Sequence, residues 1–190
     1  MEEQQEMKED KKKNIRGIII ELVIYAILVF CCVFIVPRYV LQRTVVNGHS
    51  MEKTLYTGES LLVEKVTKHF KDPDRYDIIV FHPEGKKADE YYVKRVFGLP
   101  GETIQIKGNT IYVNGKAIKD GYGKTVMLEG EEGTASQPLT LGENEFFVLG
   151  DNREVSLDSR DGELGPIHRD DIVGKSLIRI WPLSKFGVPD

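Results

Sequence analysis

The run Ile18–Val36, IIIELVIYAILVFCCVFIV, constrains this chain more than any other stretch: nineteen residues carry a single charge, Glu21. As an α-helix it is roughly 28 Å long, about the thickness of a bilayer's hydrocarbon core. Glu21 sits one turn from the start, where its carboxylate can reach the headgroup region. Pro37 and Arg38 close the run. Lys8, Lys11, Lys12, Lys13 and Arg16 precede it, and only Arg38 and Arg43 follow at comparable distance. Because Lys and Arg retain the cytoplasmic side, the expected layout is a cytoplasmic tail over 1–17, a transmembrane helix over 18–36 and an extracytoplasmic domain over 37–190. The expected location is the cell (plasma) membrane, single-pass, with the N-terminus cytoplasmic. A cleaved targeting peptide fits less well, since its apolar region would be shorter and VPRYVLQRTV holds no small-x-small cleavage site. The length and flanking charge asymmetry also disfavour a soluble core helix.

The remainder has room for one domain of ordinary size. Over the whole chain, hydrophobic residues at 41% and charged residues at 29% are globular rather than disordered in balance. A formal net charge of -4 leaves no basic excess to neutralise phosphates, which argues against a nucleic-acid partner. The two cysteines, Cys31 and Cys32, are adjacent and lie in the apolar run, so the main domain holds neither a disulfide nor a cysteine-based zinc site.

From Val45 onward the pattern becomes short apolar runs broken by Gly, Asn, Pro and Asp. Ser60–Val66, Asp77–Phe81, Tyr91–Phe97, Thr103–Ile106, Thr110–Val113, Phe146–Leu149 and Lys175–Trp181 read as strands. Lys107-Gly108-Asn109 joins two of them as a hairpin, and Asn114-Gly115 supplies a second tight turn, the pair tolerating positive φ. The glycine-rich segment 120–142 is expected to be an exposed, mobile excursion. The expected fold class is mainly β: one N-terminal transmembrane helix followed by an antiparallel, two-sheet or barrel-like domain.

Three clusters carry potential chemistry. In Asn47-Gly48-His49-Ser50-Met51-Glu52-Lys53-Thr54-Leu55 a serine follows a flexible Gly, placed to present Oγ to a cleft and its amide to a developing oxyanion. The position two residues after the serine is Glu52, so the stricter hydrolase elbow is absent, and an ordinary turn serine is the alternative. In Tyr91-Tyr92-Val93-Lys94-Arg95-Val96-Phe97 a lysine interrupts an apolar strand. Burial would lower its pKa toward that of a general base, whereas an edge lysine would snorkel to water. The third cluster, Gly150-Asp151-Asn152-Arg153-Glu154-Val155-Ser156-Leu157-Asp158-Ser159-Arg160-Asp161-Gly162, follows a strand. Counted from Asp158, positions three, five and twelve are Arg160, Gly162 and Arg169, so an EF-hand is excluded. His49, His69, His82 and His168 are scattered without zinc spacing.

Taken together and in order, the three clusters resemble type I signal peptidase, the bacterial Ser/Lys-dependent leader peptidase family. GHSMEKTL resembles its serine box, YDIIVF a structural strand box, YYVKRVFGLPGE its lysine box and GDNREVSLDSR its last box; DIVGKSLIRIWPL resembles its closing strand. The resemblance implies a membrane-bound serine endopeptidase, a hydrolase of peptide bonds that removes N-terminal signal peptides during protein secretion and cuts after small residues at -1 and -3. It implies Ser50 as nucleophile, Lys94 as general base, Ser156 as the hydroxyl that orients the lysine, and Asp158 with Arg160 as a structural ion pair, Arg95 lying near it. In a strand Lys94 and Arg95 face opposite ways, so Asp158 can neutralise the two arginines without touching the base. Val46, Met51, Leu55, Tyr92 and Val93 are the expected lining of the substrate pockets. No cofactor and no metal are implied. The expected partners are signal peptides of secreted preproteins, the lipid bilayer and the protein-export translocon.

Two positions depart from the pattern. Gly48 stands where some relatives place a serine that helps bind the oxyanion, leaving backbone donation only. Lys53 replaces a proline common after Ser-Met-x, which leaves the chain less rigid there. Two other classes of function remain open on sequence: a histidine-dependent hydrolase using His49, His82 or His168 with Asp151 or Asp158, and a non-catalytic anchored β-domain that binds partners.

Overall fold

A computed structural model describes residues 2–83, 90–123, 125–127 and 130–189. The chain divides into two compact units, Met1–Val40 and Leu41–Asp190.

The first unit is a helix, α1 (Glu2–Phe30), which continues through Cys31–Val40 in wider, π-type turns. Pro37 lies inside that second stretch. Its ring removes one N–H donor, and the wider turns accommodate it, so helical backbone runs past the proline. Ile15–Val40, 26 residues, is long and apolar enough to cross a membrane. Most of its apolar side chains, Leu22, Val29 and Phe34 among them, stand more than half exposed. Such continuous apolar exposure is stable where lipid rather than water surrounds it.

The second unit contains two antiparallel sheets. The larger is built from β1 (Leu41–Val45), β2 (Ser60–Glu64), β3 (Ile78–Phe81), β4 (Tyr92–Gly98), β9 (Glu145–Leu149), β10 (Ile167–His168) and β11 (Ile172–Trp181). Its order is β1-β2-β11-β3-β4-β9-β10. The smaller comprises β5 (Thr103–Lys107), β6 (Thr110–Val113), β7 (Lys116–Ala117) and β8 (Leu139–Thr140), in the order β7-β6-β5-β8. Every strand expected from the sequence is present, with ends shifted by a few residues. The two-residue β7, β8 and β10 were outside those expectations, and β1 leads directly into the serine cluster. The β5–β6 hairpin turns at Gly108, and the β6–β7 turn holds Asn114 at φ 50 and Gly115 at φ 76, both positive as a type I′ loop requires.

Side-chain alternation explains why β3 is apolar throughout. Ile78 and Val80 pack with Val46, Met51, Leu55 and Leu61, while Ile79 and Phe81 pack with Val96, Phe146 and Ile172. Both faces of this central strand are covered, so no position is left for a polar residue. In β9, Phe147 and Leu149 turn toward a third cluster, with Phe97, Ile104 and Ile111, which joins the small sheet to the large one. Each fully buried Leu, Ile or Phe is worth about 1.5–3 kcal/mol of transfer free energy.

The segment 120–142, expected to be exposed, is packed in much of its described part. Met127, Ala135 and Leu141 are buried. Thr134 N–H and hydroxyl donate to the Arg160 and Ser159 carbonyls at 2.9 and 2.7 Å. Gly123 lies against the Arg153 side chain and Gly133 against the Arg160 carbonyl, approaches that a side chain at either position would block. Residues 124, 128 and 129 lie outside the described residues.

Candidate active site

The serine turn begins at Gly48, whose φ of +106 is a left-handed value that an L side chain rarely adopts. The Thr57 hydroxyl braces this point, accepting from Gly48 N–H at 3.1 Å and donating to the Gly48 carbonyl at 3.0 Å. Ser50 then opens a helical turn in which Thr54 and Leu55 N–H donate to the Met51 carbonyl at 2.9 and 2.8 Å. The 150–160 loop grips the turn from the other side. Asn152 N–H donates to the Ser50 carbonyl at 3.0 Å, and Asn152 Nδ2 donates to the His49 carbonyl at 3.1 Å.

β4 presents the lysine to this turn: Lys94 Nζ lies 2.8 Å from Ser50 Oγ. Lys94 pairs with Ile79 of central strand β3 and is only 4% exposed. Burial drives its pKa down from 10.5 to about 8, against the opposing pull of the Asp158 charge. The snorkelling alternative does not fit a residue this deep in the domain.

Arg95, the next residue, takes a different partner from the one expected. It binds Asp151, with Nε to Oδ1 at 3.0 Å and Nη2 to Oδ2 at 2.8 Å, and its guanidinium lies 3.8 Å from the centre of the Tyr122 ring. Asp158 is committed instead to Arg160, at 2.8 and 3.0 Å, and accepts from Gly150 N–H at 3.0 Å. Two separate carboxylates therefore satisfy two arginines, because a fork-shaped guanidinium occupies both oxygens of its partner. Asp158 is not indifferent to the base, since its charge favours the protonated lysine.

Ser156 Oγ is buried and, among the described residues, finds no hydrogen-bond partner, Lys94 included. It abuts Gly150, where an added Cβ would run into both Ser156 Oγ and the Ser50 carbonyl. A glycine at 150 is what lets the serine turn, the strand end and Ser156 converge.

Ser50 and Lys94 line a cleft of about 640 Å³. Val46, Met51, Tyr92 and Val93 contribute to its wall, but Leu55 does not: it is fully buried in the core beneath. Val155 and Leu157, two exposed apolar residues of the 150–160 loop, complete the lining. The signal for them was the placement of apolar side chains on either side of Ser156 in an otherwise polar loop. Sequence reasoning also missed Thr54 and Asn152, and gave Asp151 only to the histidine alternative. The Thr54 hydroxyl donates to Asp151 at 2.5 Å, so one buried carboxylate ties the serine turn to the lysine strand. No local pattern marks such a bond, which spans 97 residues of sequence.

Among the described residues no three His, Cys, Asp or Glu side chains come together as a metal site would need. None of the described histidines hydrogen-bonds to Ser50 Oγ. His49 Nδ1 is 2.8 Å from Glu52 Oε1, the His82 ring packs on Tyr91, and His168 Nδ1 accepts from Asp170 N–H.

Comparison with known proteins assigns the family. The profile described as "Signal peptidase, peptidase S26" matches residues 19–181. Signal peptidase I P of Bacillus subtilis subsp. natto is 36% identical over 185 residues, 93% of this chain and 96% of the relative. Signal peptidase I of Bacillus licheniformis is 33% identical over 193 residues, covering 97% and 100% of the two chains. Signal peptidase IB of Staphylococcus aureus strain COL is 34% identical over 181 residues, 88% and 92%. A crystal structure of a signal peptidase I from Enterococcus faecalis V583 is 34% identical and covers 55% of this chain and 97% of that one, with a TM-score of 0.45. This chain therefore belongs to the signal peptidase family, peptidase S26, a family of serine endopeptidases.

Proposed function

We propose that the protein removes signal peptides from exported preproteins with a Ser50–Lys94 dyad and cuts after small residues at -1 and -3. The observation that carries this reading is the 2.8 Å contact between Ser50 Oγ and the Nζ of a buried lysine whose pKa is brought down to about 8. At that value an appreciable fraction of Lys94 is neutral near pH 7 to 8, as a general base must be. Neutral Lys94 takes the Ser50 proton as Oγ attacks the scissile carbonyl. The Ser50 N–H, which donates to no backbone carbonyl among the described residues, is available to the tetrahedral oxygen. The Lys94 ammonium then protonates the leaving amine, and the acyl group stays on Ser50 as an ester. Water attacks the ester while Lys94 takes its proton, and that proton returns to Ser50 Oγ as the acid product leaves.

Ser156, Asp158, Arg160 and Arg95 support the dyad without reacting. The Ser156 hydroxyl, buried without a partner among the described residues, is the group assigned to orient the amine, and the paired arginines keep unneutralised positive charge away from a base that must be neutral. The apolar wall of Val46, Met51, Tyr92 and Val93 suits small side chains. Edge strand β1 lines the same cleft and offers unpaired backbone groups to an extended substrate. With the N-terminus cytoplasmic, the anchor would hold the peptidase domain outside the plasma membrane, where signal peptides emerge from the export translocon; tethering raises the local concentration of enzyme there.

The test is to incubate purified full-length protein in detergent with a synthetic preprotein carrying Ala at -1 and -3, and to map the cut by mass spectrometry. One cut directly after the -1 residue is expected, and Phe at -1 should suppress it at least 100-fold. Cleavage elsewhere, or indifference to Phe at -1, contradicts the specificity; no cleavage contradicts the function.

A further inference from the structure

The serine turn is fastened from a second direction, by Arg179 of the closing strand together with Glu59 and Lys185, none of which lies in the segments that carry Ser50 and Lys94. Arg179, in β11, directs its side chain to the far end of the turn. Its Nη1 donates to the Thr54 carbonyl at 3.0 Å and to Glu59 Oε2 at 2.9 Å. Its Nε donates to the Lys185 carbonyl at 2.8 Å, and its backbone forms an antiparallel bridge with Gly187. Lys185 Nζ reaches the other Glu59 oxygen at 3.0 Å and sits 4.3 Å from the centre of the Tyr56 ring. Glu59 is buried. Burial pushes its carboxyl up, and the hydrogen bonds from Lys185 and Arg179 more than offset this, leaving it below its usual value.

Thr54 is thereby held at every polar atom. Its N–H goes to the Met51 carbonyl, its hydroxyl to Asp151 and its carbonyl to Arg179. Asp151 in turn holds Arg95, the neighbour of Lys94. A continuous set of charge-assisted bonds thus runs from the segment after β11, through the turn that begins at Ser50, to the strand that carries the base. Bonds of this type stay short and directional in a buried setting, and displacing a reacting group by about 1 Å can cost on the order of 100-fold in rate.

We propose that Arg179, anchored by Glu59 and by the 183–187 segment, is a positioning residue that sets where Ser50 Oγ stands relative to Lys94. The role rests on the dyad reading, and it acts first on the serine turn: Arg179 bonds Thr54 directly, whereas Lys94 lies beyond Asp151 and Arg95. Its loss should therefore lower kcat while sparing KM and the lysine's titration. A merely structural role would instead loosen the domain, let water reach Lys94 and move its titration toward 10.

The experiment compares full-length wild type, Arg179→Ala and Ser50→Ala in detergent on the synthetic preprotein, with kcat, KM and the pH profile measured for each active form. Arg179→Ala should lose about 10- to 100-fold in kcat, keep KM within about twofold, and retain an acid limb near pH 8. Millimolar guanidinium chloride should restore part of the lost kcat, where equal sodium chloride does not. A kcat within twofold of wild type overturns the proposal, as does a loss accompanied by an acid limb displaced toward pH 10. Should Arg179→Ala fail to fold, Glu59→Gln, which keeps the shape but removes the anchoring charge, must lower kcat about 3- to 10-fold under the same criteria; a value within twofold of wild type overturns the proposal. A wild type that cuts but whose Ser50→Ala variant also cuts fails the dyad reading instead, which keeps the two failures distinct.

Discussion

Replacing Lys94 by Met should destroy activity and stabilise the fold, and the size of the second effect follows from burial. The pKa of Lys94 falls from 10.5 to about 8 because the folded domain disfavours its charged form. At about 1.4 kcal/mol per pH unit, that gap corresponds to about 3 kcal/mol. Below pH 8 the lysine is protonated folded and unfolded alike, so the native state bears the full cost. Between pH 8 and about 10.4 the folded state releases its proton first, the unfolded chain binds more protons, and stability rises with pH. Above that window the cost is gone. Lys94→Met, close in length and uncharged, should therefore gain about 2–4 kcal/mol over wild type at pH 7, and that gain should shrink toward zero by pH 10.5. Trp181 is the single tryptophan and lies in the β-unit, so urea unfolding of the full chain in detergent can be followed by its fluorescence. A Met variant less stable than wild type at pH 7, or a difference that does not change between pH 7 and 10.5, would refute the reasoning.

The same titration governs rate. Since only neutral Lys94 can accept the Ser50 proton, kcat/KM should rise about tenfold per pH unit below 8 and level off above it; a limb near 6.5 would point to a histidine instead. Asp151→Asn leaves Arg95 buried without a counter-charge and weakens the bond to Thr54. It should cost about 3–5 kcal/mol in urea unfolding and lower processing with it, whereas a cost below about 1 kcal/mol would show that the pair does not hold the site together.

Much of the fold was legible because its signals are local. The anchor follows from an uninterrupted apolar run, and the β5–β6–β7 turns from Lys107-Gly108-Asn109 and Asn114-Gly115, where glycine and asparagine accept positive φ. The edge strands β7, β8 and β10 escaped because two residues give no period to stand out, and the pairing of β8 and β10 is decided by neighbours outside their own segment. The same limit applied at the site. Ser50, Lys94 and the 150–160 loop stood out as motif-like clusters, and the structure brings them together around one cleft. Arg95 was assigned toward Asp158 because both lie in those clusters, whereas Asp151, also in the loop, is the carboxylate that meets its fork. Leu55 was expected among the pocket lining, yet the helical turn of Ser50–Leu55 rotates it into the core. Arg179 was visible only as one residue of the closing strand and Glu59 not at all, since an arginine in an alternating strand and a glutamate in a turn are ordinary on the page.

The most direct measurement of the central claim is the single-turnover rate of preprotein cleavage by Ser50→Ala and Lys94→Ala, each checked for a wild-type urea transition or a more stable one. Both variants are expected to fall at least 1,000-fold below wild type while remaining folded, since neither group can complete acyl transfer without the other. Either variant cutting the preprotein at the same bond and within tenfold of the wild-type rate would contradict the Ser50–Lys94 dyad.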